Sequence, residues 1–257
     1  MSVSQGGAPP DRVGLNLEVP SAALAIGAHP DDVEFGCGAT LAKWAAQGCL
    51  VHHLVCTDGS KGSWDPAYDT AALVVERQAE QRAAAQALGA TGECVFLGWV
   101  DGELESGLRQ RWEVAYWIRR LRPQVVLGHD PWKRWRLHPD HRHAGFLAVE
   151  GVVAARDPHF FPEQQLPHHR PQAILLWEAD EVDHVEDVGL AAGPYLGAKL
   201  DALLEHRSQY RSTHQIDDPA AEPQVEAFGQ RVRDRLADMG ALGGVALGEA
   251  FKHISRV

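Results

Sequence analysis

Cysteine is scarce in this chain, four residues among 257, and Cys37, Cys49, Cys56 and Cys94 show no CxxC spacing. That excludes a cysteine metal cluster or a disulfide framework and suits reduced, buried thiols. Positive charge is also in deficit: 24 Lys and Arg face 35 Asp and Glu, a formal charge of -11. Without a local basic patch such a surface repels a phosphate backbone, so nucleic acid is not an expected partner. No apolar run approaches the length of a membrane span, which removes the membrane as a partner. The first residues, MSVSQGGAPPDRVG, lack the basic and apolar regions of a secretory signal, and a cytoplasmic location is the expectation. Internal repeats and low-complexity tracts are missing too. What remains is an ordinary globular composition, 45% hydrophobic and 23% charged, which permits a sizeable core. We expect one domain over residues 1–257, with residues 1–20 as a flexible extension. Homo-oligomerisation is left open.

From Ala22 onward short apolar runs alternate with segments of helical period, the pattern of βαβ units and a largely parallel sheet. ALAIGAH is the first strand, ending near His29. A helix over Ala39–Gln47, closed by Gly48, leads to a second strand at Leu50–Thr57. Asp69 caps a long helix through Leu88, and a third strand follows at Glu93–Leu97. Arg109–Leu121 reads as a helix, Pro123 as a break, and Gln124–Gly128 as a fourth strand. Further helices are expected at His141–Arg156, Tyr195–Arg207 and Pro223–Met239, and further strands at Ala173–Trp177 and Val182–Val188. The segment DPHFFPEQQLPHHRP, rich in proline and histidine, reads as flexible.

Ligands of a parallel sheet bind outside the carboxyl ends of its strands. Two polar clusters fall there: His29-Pro30-Asp31-Asp32 after the first strand, and His138-Pro139-Asp140-His141 beyond the fourth. A catalytic metal commonly takes three His or carboxylate ligands and keeps a position open. His29, Asp32 and His141 supply such a set if strands one and four are neighbours. Asp31 then stands free as a general base for the attacking water. His138, one helical turn before His141, would act as a protonated imidazole that stabilises the oxyanion, with Asp140 orienting or charge-tuning it. The ion expected is one Zn2+ per chain, although such a ligand set also accepts iron, cobalt or manganese.

Among the other histidines, His52 and His53 fit packing in a strand, His143 points away from the metal, and His168 and His169 belong to a loop. His129 either lines the cleft or does not. Trp64, Trp132 and Trp135 lie in two loops bordering the cleft, where an indole either stacks on a sugar or packs locally.

AHPDDVEFG and HPDH, together with TDGSKG, the run Arg77-Gln78-Ala79-Glu80 and the run His206-Arg207-Ser208-Gln209, resemble the PIG-L/LmbE family of zinc-dependent N-acetylglucosaminyl deacetylases. The resemblance implies a Rossmann-like three-layer α/β sandwich, with a small amino-sugar conjugate as substrate. It matches His29, Asp32 and His141 to the metal ligands, Asp31 to the general base, His138 to the electrophilic histidine and Arg77 to a sugar-binding arginine. Where some members place a tyrosine two residues before HPDH, this chain has Arg136, which either takes over the oxyanion role or shapes the substrate pocket. Two alternatives stand beside deacetylation: cleavage of a larger thiol or antibiotic amino-sugar amide, and metal or ligand binding without catalysis.

Overall fold

A computed structural model describes residues 13–189 and 194–257. Its strands are β1 (Gly14–Leu15), β2 (Ala22–Gly27), β3 (Leu50–Thr57), β4 (Cys94–Trp99), β5 (Val125–His129), β6 (Ala173–Trp177), β7 (His184–Asp187) and β8 (Gly248–Ile254). The helices are α1 (Asp32–Ala46), α2 (Thr70–Ala87), α3 (Leu108–Leu121), α4 (Pro139–Arg156), α5 (Tyr195–Glu205) and α6 (Glu222–Gly243). The strands form one sheet in the order β1-β7-β8-β6-β5-β2-β3-β4, and only β8 runs antiparallel to its neighbours.

Continuous apolar runs such as AALAIG are buried on both faces, as a strand covered by helices on both sides must be. Leu24 and Ile26 pack with Val114 and Ile118 of α3 and Leu147 and Val152 of α4. Ala23 and Ala25 face the other way, against Leu41 and Trp44 of α1, Ala84 of α2 and Ala202 of α5. The result is the expected three-layer α/β sandwich.

β2 pairs with β3 on one side and β5 on the other, so the chain reverses its winding at that point and opens a crevice at the carboxyl ends of β2 and β5. The two His-Pro-Asp clusters emerge there. α2 follows its sequence cues: Asp69 accepts from Ala71 N at 2.9 Å and Ala72 N at 3.2 Å, and Gly89 closes the helix at φ +76°.

Several expectations are corrected. α1 starts at Asp32 rather than Ala39, with a break at Cys37 (φ -149°) that the glycines on either side of it concealed from helical periodicity. Of the extension expected over residues 1–20, Gly14 and Leu15 pair with β7, Lys43 Nζ donates to Asn16, and Leu17 N donates to Glu186; residues 1–12 lie outside the described residues. The segment expected to be flexible after Arg156 is held by Arg119, whose guanidinium donates to the carbonyls of Ala154, Ala155, Asp157, Phe160 and Phe161 and to Gln164 Oε1. β8 carried no expectation, yet it sits between β6 and β7. Among the described residues no helix is long and apolar enough to cross a membrane.

Candidate metal and catalytic site

The crevice is a cleft of about 510 Å³ whose walls include His29, Asp31, Asp32, Asp101, His138 and His141. His29 leaves β2 into a tight turn in which its own N–H donates to Asp32 Oδ2 at 2.7 Å. The ring turns Nδ1 towards Asp32 Oδ2 (3.4 Å) and Nε2 towards Asp140 Oδ2 (3.0 Å) and Asp101 Oδ1 (3.2 Å). Two carboxylates accepting at Nε2 put a proton there and leave Nδ1 as the nitrogen that faces Asp32. Asp32 Oδ1 stands 3.2 Å from His141 Nε2, and the His29 and His141 rings are 5.2 Å apart. The three expected ligands therefore converge.

Asp32 meets His29 and His141 through different oxygens, whereas the groupings that bring one ligand atom from each residue together are His29, His138 and His141; Asp32, His129 and His141; and His29, Asp101, His138 and Asp140. The donor set suits a divalent cation on chemical grounds. Nearby carboxylates raise the pKa of His29 and His141 despite burial, and histidines hold Asp32 well below the usual carboxylate range. Imidazole and carboxylate donors packed this way need a positive charge among them, which either protons or a metal provides.

Asp31 occupies the N-cap position of α1, but its side chain makes no capping bond, and its backbone is held at φ +103°, a strained value for a non-glycine residue. Burial, reinforced by the charge of Asp32 and opposed by Arg77, His206 and His29, pushes its carboxyl up to about 6. That suits a group that must take and return a proton near neutral pH.

At His138 the surroundings modify two expectations. Nδ1 accepts from Asp140 N at 3.3 Å, which leaves Nε2 protonated in the neutral ring. Burial and the neighbouring His29 and His141 lower its pKa, a direction that favours a neutral N–H donor over the expected imidazolium. The Asp140 carboxylate does not orient His138, since it accepts from Gly102 N (2.6 Å) and Leu104 N (3.2 Å) and faces His29, but its charge does tune the ring, raising the His138 pKa against burial.

Both arginines are held by protein acceptors, and only Arg136 departs from its expected place at the pocket. Arg77 borders the cleft, but its terminal nitrogens are directed to Gly59 O (3.0 Å), Pro30 O (2.6 Å) and the Asp31 carboxylate (3.5 Å). Arg136 lies behind the cleft wall, donating to Glu178 (2.6 Å) and to Asp130 O (3.0 Å); Glu178, not Arg136, borders the cleft. Asp101 was missed by sequence reasoning, although an acid just after β4 shares the sheet edge of both clusters. His129 does not line the cleft but stands buried behind it, against Asp32. Its Nδ1 accepts from Trp177 Nε1 at 2.9 Å and its Nε2 lies 3.2 Å from Asp32, while Gly36 leaves room for the indole, since a Cβ there would come within 2.5 Å of the Trp177 ring.

Of the three loop tryptophans only Trp64 borders the cleft; Trp132 packs edge-to-face on Phe146 at 5.8 Å, and Trp135 is exposed. His143 turns to Ser106, away from the ligands, as expected.

Comparison with known proteins gives the family and the fold. The family model described as GlcNAc-PI de-N-acetylase, PIG-L, matches residues 24–152. A diacetylchitobiose deacetylase of Thermococcus kodakarensis is 35% identical over 190 residues, 73% of this chain and 69% of the relative. A 1D-myo-inositol 2-acetamido-2-deoxy-alpha-D-glucopyranoside deacetylase of Streptomyces avermitilis is 34% identical over 169 residues, 56% of this chain and 57% of that one. The solved structure of an N,N'-diacetylchitobiose deacetylase from Pyrococcus horikoshii, complexed with an inhibitor, superposes with a TM-score of 0.80 at 28% identity, covering 92% of this chain and 84% of that one. The matched residues contain most of β2, the turn with Asp31 and the whole of HPDH, and the chain belongs to the PIG-L family of de-N-acetylases.

Proposed function

We propose that this protein is a metal-dependent hydrolase that removes the N-acetyl group from an N-acetylglucosamine-type sugar conjugate, with zinc as the ion and His29, Asp32 and His141 as its ligands. The observation that carries the reading is Asp31: buried, strained, uncapped, with a carboxyl near 6, beside a His and Asp cluster built for a cation. Bound there, a divalent ion supplies Lewis acidity for the amide carbonyl and for the attacking water. Asp31 takes the proton of that water as it adds to the carbonyl carbon. The neutral Nε2–H of His138 is available to the developing oxyanion, a job that hydrogen-bond donors fixed in advance do well. The proton on Asp31 is then in place for the departing nitrogen, so the base of the first step serves as the acid of the second. Asp140 and Asp101 fix the His29 ring. A cytoplasmic setting is supported by the four cysteines, all free.

The test is primary-amine release from N-acetylglucosamine conjugates, including a disaccharide and an inositol-linked one, with zinc restored and with metal removed. Metal-dependent release that disappears in Asp31→Asn, with metal content retained, is expected. No release from any conjugate by folded, metal-loaded protein would sink the reading in favour of a larger amide substrate or of binding alone.

A further inference from the structure

The peptide unit between Pro30 and Asp31 is gripped at both ends. Its carbonyl, Pro30 O, accepts from Arg77 Nη2 at 2.6 Å, and its N–H, on Asp31, donates to Gln81 Oε1 at 3.0 Å. Arg77 and Gln81 are four residues apart on α2 and so project from the same face of the helix, one turn apart. Both are buried, at 3% and 0% exposure. Neither end of the grip is free to drift. Arg77 Nη1 is held by Gly59 O at 3.0 Å, its Nη2 also lies 3.5 Å from Asp31 Oδ2, and Gln81 Nε2 donates to the fully buried Glu34 Oε1 at 2.7 Å, so only Gln81 acts on the peptide without touching the carboxylate.

With the peptide so held, the φ of Asp31 is +103°, outside the left-handed well that aspartate visits more readily than most residues. No side-chain cap supplies a reason for it, because the Asp31 carboxylate makes no bond to the first turn of α1. The geometry points to Arg77 and Gln81 as a two-point clamp that fixes the Pro30–Asp31 peptide and thereby aims the Asp31 carboxylate, a positioning role distinct from binding the sugar. The inference rests on the reading of Asp31 as the base.

Glu34 extends the clamp inward. Its second oxygen lies 3.3 Å from His206 Nε2, so the amide of Gln81 has one orientation that satisfies both neighbours: oxygen to the Asp31 N–H and NH2 to the Glu34 carboxylate. Removing that amide should loosen the aim of Asp31 without touching the metal ligands.

The test uses metal-loaded enzyme and three variants. In Gln81→Met, kcat should fall about 100-fold, the cost of misplacing a reacting group by around an ångström, with KM and metal content unchanged. Its crystal structure should show Asp31 leaving the positive-φ region. Arg77→Lys keeps the charge but not the fork and should lower kcat in the same direction, probing the other end of the peptide if Gln81→Met does not fold. Gln81→Glu combined with Glu34→Gln restores an acceptor for the Asp31 N–H and a donor to its partner, and should return most of the lost kcat, which bulk repair of the core would not do.

An unchanged kcat, a loss that follows metal loss, or a variant structure with Asp31 still at positive φ would overturn the clamp. If the unaltered enzyme releases no amine from any conjugate, the functional reading fails instead, and the backbone of the variant crystal structures still decides whether the clamp exists.

Discussion

At the scale of single residues, the site separates two adjacent carboxylates by their surroundings. Asp32 is held ionised by the His129 and His141 rings, while burial raises Asp31 to about 6. Asp31 works as a base only when deprotonated, so kcat/KM should fall as pH drops below about 6, and the charge of a bound metal moves this limb downward rather than upward. A pH–rate profile checks the direction: a rate that rises on acidification contradicts the assignment. Asp31→Asn should reduce kcat by about 10²- to 10⁴-fold, the usual contribution of a positioned acid or base, while metal analysis finds the ion still bound. His138→Gln retains a side-chain N–H and should lose less of the rate than His138→Ala. Equal losses in the two would show that donation to the oxyanion is not what His138 contributes.

At the scale of elements, the parallel core was legible because each βα unit carries its own local cues. The apolar run of β3, the Asp69 cap and the Gly89 stop all appear where the sequence places them. β8 was not legible: its residues GEAFKHI carry a buried glutamate at the second position, which reads as polar until its partners are known. Glu249 accepts from Ala39 N, Thr40 N and Lys199 Nζ, and so satisfies the start of α1 beyond the break at Cys37. The loop from Asp157 to Pro171 misled for the same reason. Proline and histidine there suggest mobility, and its order comes from Arg119, a residue of α3 some forty positions earlier whose donors satisfy carbonyls that composition leaves unaccounted for. Replacing Arg119 by Met should strand these buried carbonyls and cost about 3 kcal/mol in chemical denaturation. Lys should not rescue it, because one ammonium cannot replace a fork reaching several acceptors. A loss below a few tenths of a kcal/mol would mean that the segment orders itself.

At the scale of the whole molecule, the sheet order brings together clusters more than a hundred residues apart, since β2 and β5 are neighbours and their carboxyl ends open on one side. The motifs made His29, Asp32 and His141 legible; Asp101, Gln81 and the backbone contacts of Arg77 were not, because they act through atoms whose positions only the assembled layers fix. The assembled site places Asp32, Asp101 and Asp140 around His29, with His129 and His141 against Asp32. Such a cluster is costly to bury without compensating positive charge, so a bound divalent ion should stabilise the fold as well as serve the reaction. At a zinc concentration about 100-fold above Kd the gain is about 2.7 kcal/mol, which for a chain of this size raises Tm by roughly 5 to 10 °C over the chelator-treated protein. Differential scanning calorimetry with and without chelator measures it, and His141→Ala should abolish the shift. Should Tm be the same in both preparations while metal analysis confirms loading in one, the ion is not held by the folded cluster, and the assignment of His29, Asp32 and His141 as its ligands would have to be given up.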